Sequence, residues 1–153
     1  MKYSIIAAFI LVLVSCSSQK KLEVGDIPFE LTRATIQEWS GGREESGSGA
    51  ELKLYVSNAA TDVTFENVYF RERLLACTSK TEDGLLVLTA SYTINATSNT
   101  TENDDVIGMK KAFDLMPNEV IISFKEGNSK SKYTKTGEVK QMEPVMYKGR
   151  PKN

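Results

Sequence analysis

Residues 50–56 read Ala-Glu-Leu-Lys-Leu-Tyr-Val, "AELKLYV". Ala50, Leu52, Leu54 and Val56 fall on one side of an extended chain, and Glu51, Lys53 and Tyr55 fall on the other. Side chains alternate across a strand with a period of two, so this stretch predicts a β-strand with one buried and one wet face. "EVIISFK", residues 119–125, repeats the pattern, with Val120, Ile122 and Phe124 alternating with Ile121, Ser123 and Lys125. "LLVLTASYTI", residues 85–94, begins apolar on both faces and then alternates through Leu86, Leu88, Ala90 and Tyr92, as expected of a central strand. In "VTFENVYF", residues 63–70, the phase breaks: Val63 and Phe65 lie on one face, Val68 and Phe70 on the other. A bulge near Asn67 would realign them, the alternative being a strand buried on both sides at different points.

Turn residues punctuate these runs. Asp83-Gly84 separates "RLLACTSK" (73–80), read as one strand, from the run that begins at Leu85, and this pair is the strongest hairpin signal in the chain. Glu126-Gly127-Asn128 and Thr136-Gly137 mark two further turns. The glycine-rich "SGGREESGSG" (40–49) and the polar "NATSNTTENDD" (95–105) read as loops. The best helical stripe, "MKKAFDLM" (109–116), is short. Such frequent turns predict an all-β domain of about seven or eight strands. The stretch "DLMPNEVIISF" (114–124), a polar turn with proline leading straight into a strong strand, is similar to a layout of immunoglobulin-like domains. The expected fold is therefore a single antiparallel immunoglobulin-like β-sandwich over residues 28–153. The cysteine pair and core tryptophan spacing of antibody domains are missing.

Composition narrows the chemistry. The chain has 153 residues, 41% apolar and 25% charged, a balance that suits one folded domain. It contains no histidine, which excludes Ser-His and Cys-His nucleophile pairs and imidazole zinc sites. Two cysteines, Cys16 and Cys77, make no Cys-X-X-Cys motif and no disulfide framework. A net charge of −1 gives no general affinity for nucleic acid.

The first residues have a separate purpose. Lys2 precedes a ten-residue apolar run, Ile5 to Val14. As a helix that run spans about 15 Å, too short to cross a bilayer, and the pattern is that of a signal peptide. Its end, Leu13-Val14-Ser15-Cys16, resembles the lipobox of bacterial lipoproteins at all four positions. The resemblance implies cleavage between Ser15 and Cys16, removal of residues 1–15, and a diacylglyceryl group on the Cys16 thiol. Several acyl chains make such attachment effectively permanent, at about 0.8 kcal/mol for each buried CH₂. Residues 16–27 then form a lipidated N-terminus and polar tether. Ser17 is not the aspartate that retains many lipoproteins at the inner membrane, and "SSQKK" (17–21) lacks an acidic surface-export cluster. The resemblance thus implies a cell-envelope location on the outer membrane, facing the periplasm.

The remaining candidates carry less chemistry. Cys77, alone on an apolar strand, reads as a small buried hydrophobe. Glu102, Asp104 and Asp105 lack the ordered spacing of a calcium loop and read as solvated charge. Asn95 and Asn99 sit in glycosylation-type sequons that mark an exposed loop. Met142 and Met146 are four apart among polar residues, which is a poor basis for a thioether copper site. Trp39, the only tryptophan, either caps the core at a strand end or serves with Gly41, Gly42 and Arg43 of the adjoining loop as a partner contact. Residues 16–124 carry ten basic and seventeen acidic side chains, and residues 125–153 carry eight and three. The basic segment is expected to lie against the acidic remainder of its own domain, the alternative being contact with anionic lipid headgroups or an acidic partner.

The expected function is that of a lipid-anchored envelope protein whose sandwich is a non-enzymatic binding or scaffolding module. No catalytic residue, metal or cofactor is expected. The expected partners are the membrane, through the N-terminal lipid, and another envelope protein. Two competitors are a β-barrel carrier of an apolar ligand, which requires a closed sheet and cavity, and a carboxylate-based glycan hydrolase, which requires two carboxylates about 5–10 Å apart.

Overall fold

The period-two runs become strands of two facing sheets. The computed structural model describes residues 22–23, 26–42, 47–94, 101–102, 113 and 115–147, and the statements that follow concern these residues. The strands are β1 (Glu30–Gly41), β2 (Ser48–Ser57), β3 (Val63–Phe70), β4 (Arg73–Ala76), β5 (Thr78–Glu82) and β6 (Leu85–Ile94). They continue with β7 (Thr101–Glu102), β8 (Val120–Glu126), β9 (Lys132–Thr136), β10 (Lys140–Gln141) and β11 (Val145–Tyr147). The larger sheet has the order β10-β1-β2-β6-β5, with β11 also on β1 and β7 on β6. The smaller has the order β4-β3-β8-β9. Sheets running β1-β2-β6-β5 and β3-β8-β9 follow the ABED and CFG order of the immunoglobulin layout.

The core lies between them. Ala50, Leu52, Leu54 and Val56 of β2 and Leu88 and Ala90 of β6 meet Val68 and Phe70 of β3 and Val120, Ile122 and Phe124 of β8. The wet faces of β2 and β8 differ. On β8 even the outward Ile121 and Ser123 are buried. There Phe113 packs edge-on against Tyr69 and tilted against Tyr133, at 5.2 and 5.4 Å, covering the outer face of the small sheet.

The phase break in β3 is a bulge. The register slips between Phe65, opposite Phe124, and Asn67, opposite Ser123, so that Glu66 is the extra residue. Phe65 thereby joins Val68 and Phe70 at the core. The Ser123 hydroxyl accepts from the Asn67 N–H at 3.0 Å and donates to the Asn67 carbonyl at 3.2 Å, holding the bulged backbone. Ser123→Ala is expected to strand both groups and cost about 1–3 kcal/mol. Equilibrium denaturation tests this, and an unchanged stability would mean that the hydroxyl does not hold the bulge.

Three expectations need correction. "RLLACTSK" is not one strand: β4 pairs with β3 in the small sheet, β5 pairs with β6 in the large one, and the chain changes sheet at Cys77. Cys77 is half-buried against the core, and burial pushes its thiol up to about 11, which suppresses the reactive thiolate. Eleven strands replace the seven or eight expected, because that run divides and because β7, β10 and β11 are very short. The pairing is also not wholly antiparallel, since β10 and β11 run parallel to β1 along its outer edge. The Asp83-Gly84 hairpin is as expected, with both residues left-handed at φ 49° and 79°.

Candidate functional site

Trp39 occupies one corner of the large sheet. Its neighbours Ala34 and Ile36 point into the core, and alternation along β1 therefore turns Trp39 to the opposite face. This excludes the core-capping role. Trp39 is paired with Gly49 of β2, and its indole fills the space that a side chain at 49 would take. On its other flank Val145 of β11 pairs with Trp39, and Tyr147 packs edge-on at 6.3 Å between ring centroids.

The glycine loop is tied to the same corner. The Gly41 N–H donates to the Gly47 carbonyl at 3.0 Å, closing the loop's base. The Gly42 N–H donates to the Tyr147 carbonyl, and Gln37 Nε2 reaches the Glu143 carbonyl at 3.2 Å. Trp39, Gly41 and Gly42 are therefore brought together, while Arg43 lies outside the described residues. Tyr147 and β11 complete the corner and were not anticipated. Their only sequence signal is a short "VMY" after Pro144.

A second set of contacts fixes this end of the sandwich. Arg71 and Glu72 form the two-residue turn from β3 to β4, both left-handed at φ 47° and 64°. That conformation is unfavourable for side chains other than glycine and asparagine. It aims Arg71 at Glu38 of β1, at 2.9 Å, and at Gln141 of β10, at 3.4 Å. The Arg71 hydrogen bond holds the Glu38 carboxyl below the usual carboxylate range. Lys135, at 2.6 Å, does the same to Glu119, which also accepts the Met116 N–H at 2.9 Å. Both carboxylates are stabilised as anions, the opposite of what a general acid needs.

No family model, curated protein or solved structure matches this chain. The corner is thus read from its own chemistry. It offers an aromatic pair, exposed thioethers and loop backbone, a set suited to non-covalent contact.

The other candidates are dispersed. Met142 and Met146 are 41% and 78% exposed, and no group of three or more cysteine or acidic side chains among the described residues converges on a metal position. Cys16, with its cleavage partner Ser15, lies outside the described residues, as do Asp104, Asp105, Asn95 and Asn99. The strand at Glu102 is described, but its side chain is not. Of the basic segment, Lys125 and Lys135 pair with Glu66 and Glu119 at 2.6 Å, contacts with the acidic remainder of the domain, and Lys132 pairs with Glu126.

Proposed function

We propose that this protein is a lipid-anchored envelope protein, held on the periplasmic face of the outer membrane by Cys16. Its β-sandwich is a non-enzymatic binding or scaffolding module for another envelope component, foremost a protein. The observation that carries this reading is the apolar run ending in Leu13-Val14-Ser15-Cys16. An acylated cysteine fixes location, and the sandwich adds loops and open strand edges suited to recognition. β5 is one such edge, fully exposed along its length.

The competing readings have less support. A carrier barrel calls for one closed sheet, whereas here two separate sheets face each other across a packed core. A glycan hydrolase calls for paired carboxylates with one pKa raised, whereas the shifted carboxyls among the described residues are lowered by cations.

Metabolic labelling with palmitate tests the anchor. The wild type is expected to incorporate label and Cys16→Ala to lose it entirely. Label retained by the variant would overturn the assignment. Crosslinking in the native membrane, followed by identification of the captured protein, tests the scaffolding role.

A further inference from the structure

The outer strands of the two sheets are treated unequally. β10 and β11 lie along β1 and cover its edge. β9 takes the Glu23 N–H on its Tyr133 carbonyl at 2.6 Å. The remaining edges, β4 and β5, adjoin where the chain changes sheet at Cys77. β4 has four residues, one of them the buried Leu75, whereas β5 is exposed at all five of its positions.

The backbone of β5 presents a defined set of groups. The two-residue turn Asp83-Gly84 makes Glu82 and Leu85 a hydrogen-bonded pair, and the pattern alternates from there. Lys80 and Thr78 therefore bond to β6, while the N–H and C=O groups of Ser79 and Thr81 point off the sheet. Such a row is a template for another strand. Shortness and an edge lysine are the usual guards against that. Lys80, however, guards only against strands that bring no acid opposite it.

A second β5 brings one. Lys80 and Glu82 share a face and are ion-paired at 3.5 Å, both exposed. Consider β5 paired antiparallel with itself about a two-fold axis at Thr81. Lys80 of each copy then stands directly opposite Glu82 of the other. These are non-hydrogen-bonded positions, with α-carbons about 4.5 Å apart, where opposite charges attract and like charges repel. On the axis the two Thr81 residues exchange a pair of backbone hydrogen bonds. An axis at Lys80 would set the two lysines against each other. An axis at Ser79 would set Lys80 against Thr78 and require Cys77, where the chain leaves the sheet. The charge pattern selects both the partner and the register.

We propose that β5 pairs with β5 of a second copy of this chain, antiparallel about Thr81, joining two large sheets into one. The contact is small, and its dissociation constant in solution is on the order of 100 μM. Chains confined by the lipid anchor meet at a far higher effective concentration, a consequence that rests on the function proposed above. The pairing itself does not require the anchor, and it leaves the end loops for the scaffolded component.

The test uses the processed chain carrying Cys16→Ala, so that no acyl group contributes. Sedimentation equilibrium at low salt, from about 10 μM to about 1 mM, is expected to show a monomer–dimer equilibrium. High salt is expected to weaken it. Lys80→Glu sets glutamate against glutamate and Glu82→Lys sets lysine against lysine, and each is expected to weaken self-association at least about 10-fold. The double variant carrying both changes is expected to regain it. An equimolar mixture of the two single variants is expected to form a heterodimer. Thr81→Pro removes an N–H that β6 does not use, so it is expected to leave the fold intact by circular dichroism and abolish the dimer. A monomer throughout the range, a dimer indifferent to these substitutions, or a mixture that associates no better than its components would overturn the proposal. Palmitate labelling reports on the anchor separately, so either idea can fail while the other stands.

Discussion

Phe124→Ala is expected to destabilise the protein by about 3–5 kcal/mol, the range for a fully buried phenylalanine. Phe124 is 1% exposed and stands at the inner face of β8. Phe29 meets it perpendicularly at 5.1 Å and in turn meets Phe65 at 5.0 Å. This aromatic row joins the chain just ahead of β1 to two strands of the small sheet. Truncation opens a cavity that cannot collapse without moving that junction. Domains of this size have total stabilities of about 5–15 kcal/mol, so the variant loses a large share. Thermal unfolding should fall by more than about 10 °C, with Phe124→Leu much milder. A loss below about 1 kcal/mol would contradict the packing between the sheets.

Gly49→Ala is expected to cost about 1–3 kcal/mol, an unusual sign for this substitution in a strand. In an ordinary strand alanine gains about 0.5–1 kcal/mol over glycine by restricting the unfolded chain. At position 49 a β-carbon would stand 2.3 Å from the Tyr92 carbonyl oxygen and 2.8 Å from the Trp39 indole. The carbonyl belongs to β6, paired to β2 over nine positions, and cannot retreat without disturbing that ladder. The indole must also lift off its seat. Denaturation measures the loss, and Trp39 emission should move toward that of a solvated indole. A stabilised variant with unchanged emission would overturn this account of the corner.

Local pattern carried the fold where neighbours in sequence set the structure. Alternation in β2, β6 and β8, the Asp83-Gly84 turn and the bulge in β3 all follow from residues a few positions apart. β1 escaped because its own register slips between Leu31 and Arg33, so its apolar residues do not keep one phase. The change of sheet at Cys77 leaves the backbone extended and alternation cannot register it. β10 and β11 are short, polar in part, and held to β1 by pairing across about a hundred residues, which no local window contains. The site divides in the same way. Trp39 and its glycines stand out as a lone aromatic beside a loop, whereas Tyr147 joins them only through that distant pairing.

The parallel lie of β11 beside β1 also decides how the domain carries load. β1 enters at one end of the sandwich and β11 leaves at the other, with five residue pairs between them and β10 counted together. Tension applied before β1 and after β11 pulls the two strands lengthwise past each other. Their hydrogen bonds are then strained together in shear and do not peel apart one at a time. Force spectroscopy along this axis would meet a mechanical clamp, set by the same short strands that close the edge of the sheet.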